Sequence, residues 1–437
     1  MRLAVGLASL CLALACDGGA APAGGEQEAK VAAPVVPAKA KGAEPTTPQA
    51  VKPEDLHARA VALAKRVIVL DGHIDLPWRL EKSAAPDGAL TEDVGAGTHG
   101  GDFDLPRARA GGLDAPFMSI YVSPDFEMKG ADAVADTLID MVEGLVKANP
   151  DGFALAPSVQ SVRDNFAAGK VSLPMGMENG APLMGKLENV ARFHGRGIRY
   201  ITLAHSKDNH ISDSSYDERH THGGLSAFGK SVVAEMNRVG IMIDVSHISD
   251  DAFWQVIEHT KVPVIASHSS CRHFTPGFER NMSDAMIQAL AKNGGVIQIN
   301  FGSGFLDGEI RNGRKAHDAA VKALLKEKGL DPDSDAGKAA AEAYGAEHPA
   351  PRATVGMVAD HVEHVIKLVG IEHVGLGSDF DGVGDSLPTG LRSVADYPNL
   401  FEELLRRGHS EADLEKLASG NVLRVWSAVE AYADAAK

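Results

Sequence analysis

Cysteine and basic charge are both scarce in this chain. Its 437 residues include three cysteines, too few for a disulfide scaffold. The 43 lysines and arginines are outnumbered by 59 aspartates and glutamates, which gives a formal net charge of −16. That balance argues against general nucleic-acid binding, which needs a basic surface, and against electrostatic docking on anionic lipid. No G-x-G-x-x-G or Walker A sequence follows a candidate strand, so a nucleotide cofactor has no support.

Histidine, by contrast, is plentiful, with 18 in the chain. Neutral imidazole is the commonest metal ligand in proteins, so this count favours a metal-binding function. Hydrophobic residues make up 44% and charged residues 23%, an ordinary globular composition. The length allows about two or three average domains or one large α/β barrel.

The amino terminus has the pattern of an export signal. Residues 1–15 contain Arg2 and then small and apolar side chains, and they are fewer than the ~20 needed to span a bilayer. The sequence before Cys16 resembles the lipobox of bacterial lipoproteins, which predicts cleavage there and lipidation of Cys16. The protein would then be an exported cell-envelope lipoprotein that meets the membrane only through this anchor. An ordinary cleaved signal with an incidental cysteine is the alternative.

Residues 16–52 are predicted to form a disordered tether. They are mostly Ala, Pro, Gly, Lys and Glu, with almost no large apolar side chain. Such a segment cannot bury enough surface to offset the entropy lost on ordering. We therefore expect the folded domain to span residues 53–437.

Short β-rich runs alternate with helix-like stretches in this domain, a pattern typical of a parallel sheet with crossover helices. Eight strands are predicted, at Val67–Asp75, Ala115–Val122, Val171–Asn179, Ile198–His205, Ile241–His247, Val262–His268, Gly295–Phe301 and Val374–Asp379. Eight β/α units predict an α/β fold of the (β/α)8 TIM-barrel type, whose functional residues lie at the carboxyl ends of the strands. A helical insertion is expected at residues 302–352, after strand 7 and before a helix over Val355–Val369. An open doubly wound sheet is the structural alternative.

Five potential metal ligands end the predicted strands: His73, Asp75, Glu178, His247 and His268. His73 and Asp75 are two residues apart on one strand and so point the same way. A carboxylate such as Glu178 in apolar surroundings is costly unless it is paired, hydrogen-bonded or metal-bound. Each residue alone is compatible with a structural role. Together, three imidazoles and two carboxylates favour Zn²⁺ or another divalent transition metal. The five side chains suffice for two ions if Glu178 bridges them, and two close ions would share a hydroxide as nucleophile.

Two further strand ends carry candidates for acid–base chemistry. Asp379 could exchange a proton between the attacking water and the leaving group, although Asp381 is a rival that could instead be a turn residue. His205 could donate a hydrogen bond to an oxyanion formed on carbonyl attack, or be structural.

Several motifs then strongly resemble the membrane (renal-type) dipeptidase family, in order from about residue 66 to 430. They are Asp71–Trp78, Leu105–Gly112, the Gly-x-Glu ending at Glu178, Tyr200–Ser206, Leu225–Gly229, Ser267–Ser270, Arg280-Asn281 and Gly377–Gly382. The resemblance implies a metallo-barrel of the amidohydrolase type with two zinc ions. Such enzymes hydrolyse dipeptides, often with a D-residue at the C-terminal position, and homodimers are common among them.

The resemblance also implies a role for each residue. His73, Asp75 and Glu178 would hold one zinc ion, and Glu178, His247 and His268 would hold the other.

Substrate contacts follow in the same way. His205 would polarise the scissile carbonyl, Arg280 would bind the substrate's C-terminal carboxylate, and Asp379 would move the proton and meet the free amino group. Two other functions stay open: a related binuclear hydrolase for another amide, lactam, ester or N-acyl amino acid, and a non-catalytic metal-binding surface lipoprotein.

Overall fold

A computed structural model of the chain describes residues 53–85 and 90–436. The predicted signal peptide, Cys16 and the predicted tether lie outside these described residues. Within them, no helix is both long enough and apolar enough to cross a membrane.

An eight-stranded parallel sheet forms the centre of the domain, and its strands lie side by side in chain order. The strands are β1 Val69–Ile74, β2 Leu113–Tyr121, β5 Met175–Glu178, β6 Ile198–Thr202, β7 Met242–Asp244, β8 Ile265–Ser269, β9 Val296–Ile299 and β10 Val374–Leu376. The edges meet where Asp75 N donates to Phe380 O (2.9 Å) and Asp379 N to His73 O (3.1 Å). The sheet is therefore a nearly closed barrel, as predicted, and not an open doubly wound sheet.

The predicted third strand is divided in two. Only Met175–Glu178 joins the barrel, whereas β4, Val171–Leu173, pairs with β3, Phe153–Leu155, in a separate two-stranded sheet. Pro174 lies between the two parts and has no N–H to continue a ladder. The division shortens the barrel strand, and Glu178 is its last residue.

Helices surround the barrel. They are α1 Pro53–Arg66, α2 Leu76–Ser83, α3 Leu105–Gly111, α4 Ala131–Ala148, α5 Val159–Ala167, α6 Glu188–Gly195, α7 Ala227–Val239, α8 Asp250–His259, α9 Asp284–Lys292, α10 Ser303–Leu306, α11 Gly308–Lys328, α12 Asp335–Glu347, α13 Val355–Val369, α14 Tyr397–Arg406, α15 Glu411–Glu415 and α16 Asn421–Ala435.

The crossover helices α7, α8 and α9 follow Ser226, Ser249 and Ser283, whose hydroxyls each accept a backbone N–H of the first turn. Each such cap stabilises its helix by about 1 kcal/mol.

The insertion after the seventh barrel strand is helical, as predicted, and consists of α10, α11 and α12. The following helix, α13, has the predicted bounds Val355–Val369.

The amino ends of the strands are covered by the last helix, α16. Its Trp426 is fully buried and packs against Phe117 of β2, with ring centroids 5.3 Å apart. The same hydrophobic cluster contains Met242, Ile265 and Val296, the first residues of three barrel strands. This end of the barrel is filled by side chains, which leaves the carboxyl ends for a functional site.

Candidate metal centre

Glu178 lies at the centre of four imidazoles at the carboxyl end of the barrel. Its carboxylate oxygens are 3.3 Å from His73 Nε2, 3.4 Å from His205 Nε2, 3.2 Å from His247 Nε2 and 3.4 Å from His268 Nε2. We call these five residues the Glu178 cluster. All of them were singled out from the sequence, and five different strands or the loops directly after them supply them.

Two carboxylates extend the cluster on one side. Asp75 Oδ2 is 3.4 Å from His73 Nε2, and one ligand atom each of His73, Asp75 and Asp379 lies within 4.8 Å of the others. Glu178 also shares such groups with His73 and His268 and with His205 and His247. The overlap at one carboxylate is the arrangement of a binuclear metal site.

The hydrogen bonding within the cluster fits bound cations. His73 Nε2 is buried and has no hydrogen-bond partner among the described residues. His247 Nε2 and His268 Nε2 are 2.8 Å apart, and neutral rings can place at most one proton between them. Buried polar atoms left without partners are costly, and a divalent ion bound by these nitrogens would remove that cost. Imidazole and carboxylate ligands suit zinc and other transition ions.

Burial and neighbouring charges shift the pKa values of the cluster and so set its protonation states. Burial by itself would raise the pKa of Glu178, but His73 and His205 and hydrogen bonds from His247 and His268 bring it well below its usual range. Burial, with the charge of Arg280, lowers the pKa of His247 well below the ordinary value. Glu178 is therefore an ionised carboxylate and His247 a neutral imidazole, the protonation states that bind metal. At His73 burial lowers the pKa, but Tyr200, Glu178 and Asp75 outweigh it and raise the pKa well above the ordinary value, so an ion bound there would displace a proton.

Hydrogen bonds outside the cluster orient its rings. Tyr200 Oη is 2.8 Å from His73 Nδ1. Ser267 Oγ is 2.7 Å from His268 Nδ1 and donates to Asp244 Oδ2 at 2.7 Å, so it accepts from the imidazole. This places the proton of His268 on Nδ1 and frees Nε2 for the metal side. Sequence reasoning missed Tyr200, Asp244 and Ser267, although a carboxylate inside the apolar run Ile241–Val245 was a signal for one of them.

Asp379, rather than Asp381, faces the cluster. It has left-handed backbone, φ 63°, and Asn300 Nδ2 donates to its Oδ2 at 2.7 Å. Burial, with the nearby charge of Asp75, raises the pKa of Asp379 to about 7. Asp381 instead pairs with Arg79 at 3.2 Å and does not line the cavity.

Arg280 lies beside the cluster but is 2% exposed. Its terminal nitrogens donate to Ser269 Oγ (2.7 Å) and His268 O (2.8 Å), and its Nε has no hydrogen-bond partner in the described part of the chain. Among the ion pairs of the described residues, none joins Arg280 to a carboxylate. The guanidinium is therefore a buried charge with no balancing carboxylate among the described residues.

A cavity of about 620 Å³ opens above the cluster. Its lining includes Glu178, His205, His247, Asp75 and Asp379, together with Trp78, Tyr121, Ser206, Lys207, Tyr216, Phe305, Gly382, Val383 and Ser386. Phe305 belongs to α10, so the insertion contributes directly to the cavity wall. Arg280 is not part of the lining.

Comparisons with known proteins agree with this site. The family model described as membrane dipeptidase (peptidase family M19) matches residues 57–437. The dipeptidase aclJ of Aspergillus oryzae is 36% identical over 338 residues, covering 76% of this chain and 70% of that protein. The dipeptidase tcpJ of Claviceps purpurea is 35% identical over 346 residues, covering 77% of this chain and 71% of that protein.

Solved structures have the same architecture. The crystal structure of the probable dipeptidase PvdM from Pseudomonas aeruginosa superimposes with a TM-score of 0.74 at 27% identity, covering 87% of this chain and all of that one. A metallopeptidase of Rhodobacter sphaeroides, liganded with a phosphinate mimic of the dipeptide L-Ala-D-Ala, superimposes with a TM-score of 0.66 at 24% identity, covering 83% of this chain and 99% of that one.

Proposed function

The chain belongs to the membrane dipeptidase family of metallopeptidases, and from that premise we propose that it hydrolyses L,L- and L,D-dipeptides with two zinc ions. One ion would be held by His73, Asp75 and Glu178 and the other by Glu178, His247 and His268. The observation that carries this proposal is the convergence of buried imidazoles on Glu178 at the floor of an open cavity.

When bound, the two ions would supply an activated water and polarise the scissile carbonyl. The chain's own residues would orient the substrate and move protons. Burial lowers the pKa of His205, which leaves a neutral ring with one N–H to donate to the carbonyl oxygen. The Asp379 carboxylate, whose pKa of about 7 suits both roles, would take a proton from the attacking water and return it to the leaving amine.

Arg280 would bind the C-terminal carboxylate of the dipeptide. The support is its buried guanidinium, which has an unpartnered Nε and no carboxylate partner among the described residues. Burying a charge without a counter-ion is costly, so an anionic group of the substrate would be stabilised beside it. Asp379 would contact the free amino group at the other end of the substrate. Together the Arg280 and Asp379 contacts favour substrates whose charged termini are separated by a single peptide bond.

The first experiment measures amino-acid release from L,L- and L,D-dipeptides, matched tripeptides and N-acetyl dipeptides by the full-length chain with added zinc. We expect cleavage of the dipeptides alone, abolished by a chelator and restored by zinc. Cleavage of N-acetyl dipeptides at an equal rate would instead place the substrate among N-acyl amino acids.

An Arg280→Lys variant tests the carboxylate contact. Lysine keeps the charge but loses the forked donors, so KM for dipeptides should rise at least ~10-fold with a smaller change in kcat. Arg238→Lys, at an exposed arginine paired with Glu235, is the matched control. An unchanged KM in the Arg280 variant would refute this role.

We also propose that the protein is exported and anchored by a lipid on Cys16. The support is the sequence of residues 1–16, with Arg2, an apolar run and a small residue before the cysteine. Expression of the full chain in a bacterial host should give a membrane-associated, lipid-labelled protein, and Cys16→Ser should abolish the label. Labelling that survives the substitution would contradict the anchor.

A further inference from the structure

We propose that His273, Asp284 and His364 form an additional site for a divalent transition metal on the outer side of the barrel. These residues are separate from the Glu178 cluster. The proposal therefore does not depend on the dipeptidase chemistry.

Three different elements supply the three side chains. His273 lies in the short 3-10 turn Arg272–Phe274 that follows β8, Asp284 is the first residue of α9, and His364 is on α13. His364 Nε2 is 2.8 Å from Asp284 Oδ1, and the rings of His273 and His364 stack with centroids 4.4 Å apart and an interplanar angle of 20°. One ligand atom from each residue lies within 4.8 Å of the others.

Among the described residues, the potential ligands contact one another rather than competing charged groups. Within the described part of the chain, the ion-pair partner of Asp284 is His364, with no lysine or arginine competing for the carboxylate. The ring of His273 is exposed and makes no hydrogen bond to the described residues. His273 adds a second imidazole beside the His364–Asp284 pair, so three potential ligands converge at one place.

The donor set selects the class of ion. Two imidazoles and one carboxylate suit Zn²⁺, Co²⁺, Ni²⁺ or Cu²⁺, whereas Ca²⁺ and Mg²⁺ prefer oxygen ligands. Because His273 is exposed, water can complete the coordination. A bound ion would join the segment after β8, which also contains Arg280, to α9 and α13.

The test titrates Co²⁺ and Zn²⁺ into full-length protein that already carries its active-site metals and has been dialysed against metal-free buffer. Calorimetry should show one further equivalent per chain, and Co²⁺ should give d–d absorption bands of a nitrogen–oxygen site. His364→Gln should weaken this binding at least ~10-fold, because it removes a direct ligand. His259→Gln, at a partly exposed histidine on α8 outside the three-residue group, should leave it unchanged.

His273→Ala is a second variant, chosen because the His273 side chain is exposed and its removal leaves the packed interior intact. It should also lose the extra equivalent while keeping the melting temperature of the metal-free protein. The proposal is overturned if the wild-type chain binds no further ion, or if both variants bind it as tightly as the wild type.

Discussion

The orientation of the His73 ring depends on one side chain, that of Tyr200. Its hydroxyl is 2.8 Å from His73 Nδ1, and its ring lies over Gly176, where an added Cβ would fall 2.0 Å from it. Tyr200→Phe preserves the packing but removes the hydrogen bond, so we expect zinc affinity to fall ~10- to 100-fold. Metal content after dialysis against a zinc buffer measures this. Tyr432→Phe, at an exposed tyrosine, is the control, and equal metal content in both variants would contradict the assignment.

Gly382 borders the site without room for a side chain. A Cβ there would lie 2.1 Å from Asp75 Oδ2 and 2.3 Å from Asp379 Oδ1. Gly382→Ala should therefore displace both carboxylates and lower kcat/KM by roughly 100-fold, with the fold retained. Dipeptide hydrolysis and circular dichroism check the two parts of this expectation.

The control for that variant is Gly144→Ala, in the middle of α4, where a Cβ meets no atom within 4 Å. It should leave kcat/KM unchanged. Full activity in Gly382→Ala would show that the two carboxylates tolerate displacement.

Individual site residues were predictable only where their chemistry is rare. Histidines and carboxylates at strand ends, such as His73 and Glu178, are conspicuous because such groups seldom end buried apolar strands. Tyr200 and Ser267 were not predictable, since strand periodicity gives the face of a side chain but not its neighbour on the next strand. Their partners depend on barrel register, which a single sequence does not contain.

Buried His361 of α13 joins three elements. Its Nδ1 accepts from Cys271 N (3.0 Å), and its Nε2 is 2.9 Å from Leu306 O. Burial lowers its pKa from 6.5 to about 4. Between those values the unfolded chain binds more protons than the folded one, so stability is full above pH 6.5 and decreases as the pH falls toward 4. The loss should reach about 3 kcal/mol.

Urea unfolding in EDTA at pH 7.5 and pH 5 measures this contribution, because EDTA removes any effect of metal release. His361→Gln should be less stable than the wild type at pH 7.5 but should lose less stability on acidification. His348→Gln, at an exposed histidine, should follow the wild type. Parallel pH profiles for all three proteins would rule out His361 as the source.

Whole elements were predicted to different degrees. The helix-favouring composition of residues 302–352 correctly predicted a helical insertion, and the bounds of α13 were also predicted correctly. The run at 171–179 looked like one strand, because periodicity does not reveal that residues before Pro174 pair with Phe153–Leu155. That partner is three residues long, too short to be recognised beforehand.

Metal removal should destabilise the whole molecule. The Glu178 cluster draws on strands around the barrel, so ions bound there would be bound only by the folded chain. A site at roughly a thousandfold excess of metal over its Kd stabilises the fold by about 4 kcal/mol. Chelation should thus lower the melting temperature, and added zinc should restore it. An unchanged melting curve after verified removal of the metal would contradict this coupling.

The barrel as a whole was predictable because its β/α unit repeats eight times, and six of the eight predicted strands end in a polar residue. The pairs of residues that close the barrel were not predictable, because the hydrogen bonds from Asp75 N to Phe380 O and from Asp379 N to His73 O depend on stagger accumulated around the whole sheet. The packing of α16 over the amino ends of the strands was not predictable either, because it depends on tertiary contacts. The sequence around Trp426 indicates only an amphipathic helix.

The position of Phe305 shows that the reacting groups and part of the substrate cavity belong to different segments of the chain. The Glu178 cluster is built on barrel strands and the residues just after them, which cannot move without disturbing the core, whereas Phe305 reaches the cavity from an inserted segment. Mutation and selection can change the length or the side chains of that segment while the Glu178 cluster stays intact. Divergence in substrate choice among relatives is therefore expected to accumulate after the seventh strand of the barrel, ahead of any change in chemistry.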